Sequence, residues 1–155
     1  MQLYIAMDAV LGKGGISMDV SKIKELLVNR LDPEFILIFG SAVTGETHEA
    51  SDLDIAFHKK SKTSNYEIFM LGQELAGILN VSVDLIDLSQ ASTVFRMQIF
   101  KNGRQIYAKN QHDFNVYEMN VFRSYANLNE QREVVLKEVH ESGNVYGTRP
   151  GYHQK

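Results

Sequence analysis

Two aspartates one residue apart, Asp52 and Asp54, are the side chains of this chain most suited to chemistry. They lie in DLDIAFH, which reads as a strand, and alternate residues of a strand share a face. Their carboxylates therefore point together, while Leu53 and Ile55 point into a core. Two like charges side by side are costly unless something neutralises them. A divalent cation does so directly. Hard carboxylate oxygens suit Mg2+, which keeps some waters and completes its shell with substrate phosphates. The bland alternative is a solvent-facing acidic strand edge, and the pair alone does not decide between the two.

A second feature changes the balance. The apolar run FILIF, residues 35–39, ends in Gly40-Ser41, and ten residues separate that dipeptide from Asp52. A glycine at a strand end lets the backbone approach a ligand with no Cβ in the way. Amides at the start of a helical turn favour an anion, and the Ser41 hydroxyl adds a donor. Gly-Ser is also a common turn dipeptide. The combination of Gly-Ser, ten residues and Asp-any-Asp, flanked by strand-like runs, is expected by chance in roughly one chain in several hundred. It reads as a phosphate turn facing a metal-binding pair.

The elements that must position these residues follow from periodicity. Residues 19–31 carry Val20, Ile23, Leu26, Leu27 and Leu31 at helical spacing, with Asp19 or Ser21 as N-cap and Asp32-Pro33 as the stop. FILIF has the composition of a strand buried on both faces. The link from Phe39 to Asp52 is too short for a crossover helix, so the first two strands are predicted to be antiparallel neighbours joined through one helical turn. Residues 64–79 form an amphipathic helix stopped at Asn80, and residues 81–88, VSVDLIDL, a third strand. A helix over 89–100 closes at Lys101-Asn102-Gly103, and RQIYA makes a short edge strand. A long helix runs from about Asp113 to Ser142, followed by a glycine-rich tail. The fold class is α+β, a small mixed sheet flanked by helices with a long helix at the C-terminus.

Composition bounds the reading. A chain of 155 residues with 44% hydrophobic residues is expected to build one domain over 1–155 with its own core. It has no cysteine, which excludes disulfides and thiolate metal sites and fits a cytoplasmic protein. The N-terminal MQLYIAMDAVLGKGG lacks a basic lead and a long apolar run, so neither a signal peptide nor a membrane span is expected. A net charge of -3 argues against broad electrostatic contact with nucleic acid.

GSAVTGETHEASDLD resembles the Gly-Ser, ten residues, Asp-any-Asp signature of the DNA polymerase β-type nucleotidyltransferases. The short length and the later VDLID strand resemble the minimal nucleotidyltransferase (MNT) group, whose members are often antitoxins paired with HEPN-domain toxins. The resemblance covers a core of about residues 20–107, with the helix at about 113–142 and the tail at 143–155 outside it. It implies that Gly40 and Ser41 hold the phosphates of ATP, and that Asp52 and Asp54 hold metal, two Mg2+ ions in all. It also implies a third carboxylate from a neighbouring strand, and Asp84 is the residue that matches. Strand parity sets Asp87 on the opposite face, where it reads as a helix cap.

The activity implied is transfer of AMP to a tyrosine of a HEPN RNase toxin, which that modification neutralises. Two other readings stand beside it: an antitoxin that acts by binding and occlusion through the long helix, and a small-molecule (antibiotic) nucleotidyltransferase, for which a chain this short is expected to lack the second domain. Arg96, Lys101 and Arg104 are basic residues that could meet the triphosphate, with a solvated helix face as the plainer reading. His48, in the loop between the motifs, is placed to touch nucleotide or metal, with an exposed loop histidine as the plainer reading, and His58, Lys59 and Lys60 read as solvated. Tyr146 and Tyr152 in the tail are candidate acceptors for self-modification. The apolar and aromatic residues of the long helix, Tyr117, Met119, Phe122 and Tyr125, read as core with part of the face left for a partner.

Overall fold

A computed structural model of the chain describes residues 19–44 and 52–142. The leader, His48, Tyr146 and Tyr152 lie outside the described residues. The first helix, α1 (Val20–Leu31), is capped by Asp19, whose carboxylate accepts the Ser21 amide at 3.1 Å. It stops at Asp32, which adopts φ 48°, the left-handed region that an aspartate tolerates, just ahead of Pro33. The chain then enters β1 (Phe35–Phe39), all five residues of which are buried.

A four-residue helical turn, α2 (Ser41–Thr44), precedes β2 (Leu53–His58). Helix α3 (Asn65–Leu79) starts with Ser64 accepting the Glu67 amide at 3.1 Å and ends at Asn80 with φ 55°. Strand β3 (Val83–Asp87) leads through a 3-10 turn, Leu88–Gln90, into α4 (Thr93–Asn102). Gly103 then delivers the chain into β4 (Arg104–Ala108), and Asn110 caps α5 (Gln111–Glu141). The long helix thus begins two residues earlier than its apolar spacing marks, because Asn110 supplies the cap by accepting the Asp113 amide. The helix expected over 89–100 begins at Thr93, its first residues being taken by the 3-10 turn.

The sheet order is β3-β2-β1-β4. β1 pairs antiparallel with both β2 and β4, and β2 pairs parallel with β3. The antiparallel β1–β2 pair is the one expected from the short link. β3 and β4 are the edge strands, and β4 has a register shift opposite Ile36 and Leu37.

Each face of the sheet carries its own core. On one side Ile36 and Ile38, with Leu53, Ile55 and Phe57, pack against α1 and α3 through Ile23, Leu27, Leu71 and Leu75. On the other, Phe35, Leu37, Phe39 and Ala56 pack against α4 and α5 through Ile99, Phe100, Phe114 and Val121. FILIF is apolar at every position because both its faces are covered. The first turns of α5 are pinned by aromatic packing: Phe114 lies 4.9 Å and Tyr117 5.0 Å from Phe35, ring centre to ring centre. Further along α5, Val134, Val135 and Leu136 are 55–67% exposed. Among the described residues no helix is long and apolar enough to cross a membrane.

Candidate active site

The site is built where β1 ends and β2 and β3 begin. Phe39 closes β1, and Gly40 turns the chain with φ +77°, a conformation that an L side chain rarely adopts. The Gly40 carbonyl accepts the Val43 amide at 3.1 Å, which starts the single turn of α2. Val43 tucks that turn against the core on the α1 and α3 side.

The strand register does the rest. Asp54 sits opposite Phe39 on one side and opposite Asp84 on the other. Register partners point to the same face, so Asp54 and Asp84 stand side by side on adjacent strands. Asp52 lies two residues back, at the mouth of β2, where the Leu53 amide ties the entry to β3 through the Ser82 carbonyl at 2.8 Å. The Asp54 carboxylate also lies directly against the Cα of Gly40. A Cβ placed on Gly40 would fall 3.2 Å from Asp54 Cγ and closer still to its Oδ2. Gly40 is therefore required twice over, by its backbone conformation and by this close approach.

These contacts set the electrostatics. Burial raises the Asp54 pKa above the ordinary carboxylate range, and the charges of Asp84 and then Asp52 raise it further. Asp52 and Asp84 are themselves exposed. Asp54 has Asp84 beside it and Asp52 within electrostatic reach, with no cation among the described residues to balance it. Among those residues no three His, Asp or Glu side chains are gathered closely enough to hold an ion alone. The donor set fits a hard cation that takes only part of its shell from protein and the rest from water and phosphate oxygens. It does not fit a structural metal.

The other candidate residues are spread over the molecule. Asp87 is opposite Phe57 and so on the other face from Asp84, as strand parity requires. It is buried and caps the 3-10 turn, accepting the Ser89 amide at 2.9 Å and the Ser89 hydroxyl at 2.7 Å. Arg96 is half-buried, and its guanidinium is engaged with the backbone. Its Nε donates to the Leu88 carbonyl at 2.7 Å and its Nη2 to the Ser89 carbonyl at 3.0 Å, holding the 3-10 turn against α4. Lys101 is exposed in the last turn of α4, where its charge complements the helix dipole. Arg104 opens β4, opposite Ile38.

His58 corrects the expectation of a solvated strand end. Its ring lies 5.4 Å from that of Phe35 and 4.6 Å from that of Tyr117, and its buried Nδ1 has no hydrogen bond among the described residues. Burial pushes its pKa down, against the opposing pull of Asp87 and Glu34. Nothing in the local sequence marks this, because the covering residue, Tyr117, comes from α5. Lys60 does reach solvent, with only a loose 3.9 Å approach to Glu34.

Comparison with known proteins bears on the same stretch. The family model described as "Polymerase beta, Nucleotidyltransferase" matches residues 21–112. The chain is 32% identical over 123 residues to the protein adenylyltransferase MntA of Shewanella oneidensis, covering 79% of this chain and 88% of that protein. It is similar to a chain in the crystal structure of a toxin–antitoxin with AMP-PNP, with a TM-score of 0.72 and 31% identity over 79% of this chain and 99% of that one. A structure of a tri-AMPylated Shewanella oneidensis HEPN toxin in complex with MNT antitoxin matches with a TM-score of 0.64 and 30% identity, over 78% of this chain and 95% of the other.

Proposed function

The chain belongs to the polymerase β nucleotidyltransferase family, and from that premise we propose that it is an Mg2+-dependent protein adenylyltransferase. In this reading it is an antitoxin that moves AMP from ATP onto a tyrosine of a HEPN-type RNase toxin and so silences it. The observation that carries the proposal is Asp54, pressed against Gly40 and flanked by Asp84 and Asp52, with its pKa raised by burial and by both neighbours. Such an arrangement is costly to a protein that has no use for it. The similarity to MntA and to an antitoxin bound to an AMPylated HEPN toxin supports a protein acceptor. ATP and the RNA that such a toxin attacks are cytoplasmic, and the reading places this protein there too.

The chemistry divides among few residues. Asp52 and Asp54 would hold the metal, with Asp84 either completing its shell or serving as general base. When bound, the ions neutralise the carboxylates and stabilise charge on the triphosphate and on the departing pyrophosphate. Gly40 lets the phosphates approach the backbone, and Ser41 offers its hydroxyl. The tyrosine oxygen attacks the α-phosphorus, its proton passes to Asp84 or to water, and the bond to the bridging oxygen breaks. AMP stays on the tyrosine and pyrophosphate leaves.

The test is transfer of label from α-labelled ATP, with Mg2+, to the HEPN-domain protein encoded beside this one. Label on the toxin that disappears with Asp52→Ala/Asp54→Ala supports the proposal. No label, or equal label from the double variant, refutes it. A second reading, neutralisation by binding alone, draws on the exposed Val134, Val135 and Leu136 of α5. A double-aspartate variant that neutralises the toxin at equal dose would favour it.

A further inference from the structure

The carboxylates and the Gly40 turn account for the phosphates of a bound nucleotide and leave its base without a contact. Asp54 pairs with Phe39 on one side and Asp84 on the other. Two residues further along, on the same face, Ala56 pairs with Leu37 and Ile86. Phe39, Leu37, Ala56 and Ile86 all belong to the core under α4 and α5. Asp54 and Asp84 thus continue that row, and the covering side chains on their face come from α4 and α5.

Helix α4 crosses the strands. It starts beside the end of β3, where Arg96 holds the Leu88 and Ser89 carbonyls. It ends beside β1, where a Cβ on Gly103 would fall 3.3 Å from the Ile38 carbonyl oxygen. Its two flanks therefore look toward opposite ends of β1. Phe100 lies 5.9 Å from Phe35, ring centre to ring centre, and Phe95 lies 6.0 Å from Phe39. Five residues along a helix amount to about 140° around its axis, which sets the two rings on different flanks. Phe95 is the aromatic residue of α4 at the carboxylate end.

The helix cap fixes its place, because Ser92 Oγ accepts the Phe95 amide at 3.1 Å. The ring is half-buried and meets Phe39 edge to face, at 79°. Whichever ring gives the edge, Phe95 keeps at least one face uncommitted to Phe39. Cross-strand neighbours lie about 5 Å apart, so the Phe95 ring stands roughly 10 Å from the Asp54 carboxylate. An acceptor oxygen has to come within about 3–3.5 Å of the α-phosphorus, which would hold a tyrosine ring nearer to the carboxylates than that. The base of a nucleotide, one ribose away from the α-phosphorus, fits the gap.

We propose that Phe95 is the base platform of this site, stacking on the adenine of ATP while the aspartates and the Gly40 turn hold its phosphates. This rests on the nucleotidyltransferase reading above. Stacking on an aromatic ring does not read the edge of a base, so Phe95 supplies grip on a nucleotide and no choice among bases.

The experiment measures ATP binding with Mg2+ by calorimetry, and KM for ATP and kcat for transfer to the HEPN-domain protein. It uses the whole native chain, Phe95→Leu and Phe95→Tyr, with a thermal melt of each. Leucine keeps an apolar contact with Phe39 and removes the aromatic face. Loss of the stack predicts ATP binding weakened about tenfold in Phe95→Leu, with KM raised to match, and binding within about threefold of native in Phe95→Tyr. ATP binding unchanged in Phe95→Leu, or equally weak in both variants, would overturn the proposal while leaving the nucleotidyltransferase reading intact. So would a loss that follows the folded fraction, the mark of a structural role. A fall in kcat with KM unchanged would place the ring against the acceptor and overturn it too. A native chain that binds no ATP would overturn both.

Discussion

Replacing Gly40 by alanine separates the cost of the turn from its use. The backbone there has φ +77°, and an L residue in that region costs about 1–2 kcal/mol. For a chain of this size that lowers Tm by about 2–8 °C, well within the 5–15 kcal/mol by which domains are typically stable. The new methyl also falls on the Asp54 carboxylate, so that side chain must swing away from Asp84 and Asp52. Displacing a reacting constellation by about 1 Å costs on the order of 100-fold in rate. Gly40→Ala is therefore expected to fold, melt a few degrees lower, and transfer AMP at least about 100-fold more slowly. Gly77→Ala is the control: a Cβ there meets nothing within 4 Å and lies in the interior of α3. It should gain about 0.5–1 kcal/mol from helix propensity and leave transfer unchanged. Melting curves and single-turnover transfer of label at saturating ATP report both. A Gly40→Ala protein as active as native, or one whose activity falls only with its folded fraction, would refute the reasoning.

Further outcomes follow from the same contacts. The Asp54 pKa is raised in the folded chain, so its charge destabilises the metal-free protein above that pKa and the cost is relieved as pH falls. Asp54→Asn should accordingly raise Tm at neutral pH without divalent metal, abolish the gain in Tm on adding Mg2+, and cost at least about 100-fold in transfer; a lower metal-free Tm would contradict this. His58 has its pKa lowered by burial, so the stability it contributes is present above its unfolded value of 6.5 and is lost as pH falls below that. His58→Phe should flatten that part of the pH–stability curve in chemical denaturation, and an unchanged slope would speak against a buried neutral imidazole. Arg96→Ala removes two charged hydrogen bonds to the 3-10 turn and should cost about 2 kcal/mol, about 4–8 °C in Tm, with KM for ATP unchanged.

The site was legible in the sequence because its geometry is local. Strand period separates Asp84 from Asp87, and the register bears this out; it also sets Asp52 with Asp54, but Asp52 precedes β2 and lies outside the register. The short link after Gly40 implies an antiparallel pair, which brings the glycine to Asp54. Two residues whose surroundings differ from the expectation depend on contacts that local periodicity does not show. His58 looks like a polar strand end until Tyr117, from α5, covers it. Arg96 looks like a solvated helical cation until the 3-10 turn after β3 presents the Leu88 and Ser89 carbonyls to it. Of the long-helix residues read as core, Tyr117 packs on Phe35, but Met119 and Phe122 point outward, and Phe114 and Val121 fill the core instead. No periodicity tells how far the body extends beneath a helix, and Val134, Val135 and Leu136 fall beyond it.

The central claim, that the three aspartates transfer AMP to a toxin tyrosine, is met most directly by weighing the toxin. Co-expression of the HEPN-domain partner with the native chain, and separately with Asp52→Asn/Asp54→Asn, gives two toxin samples for intact-mass and peptide mapping. The account expects toxin heavier by one or more AMP units on a tyrosine in the first sample and unmodified toxin in the second. Unmodified toxin in both, neutralised all the same, would contradict it.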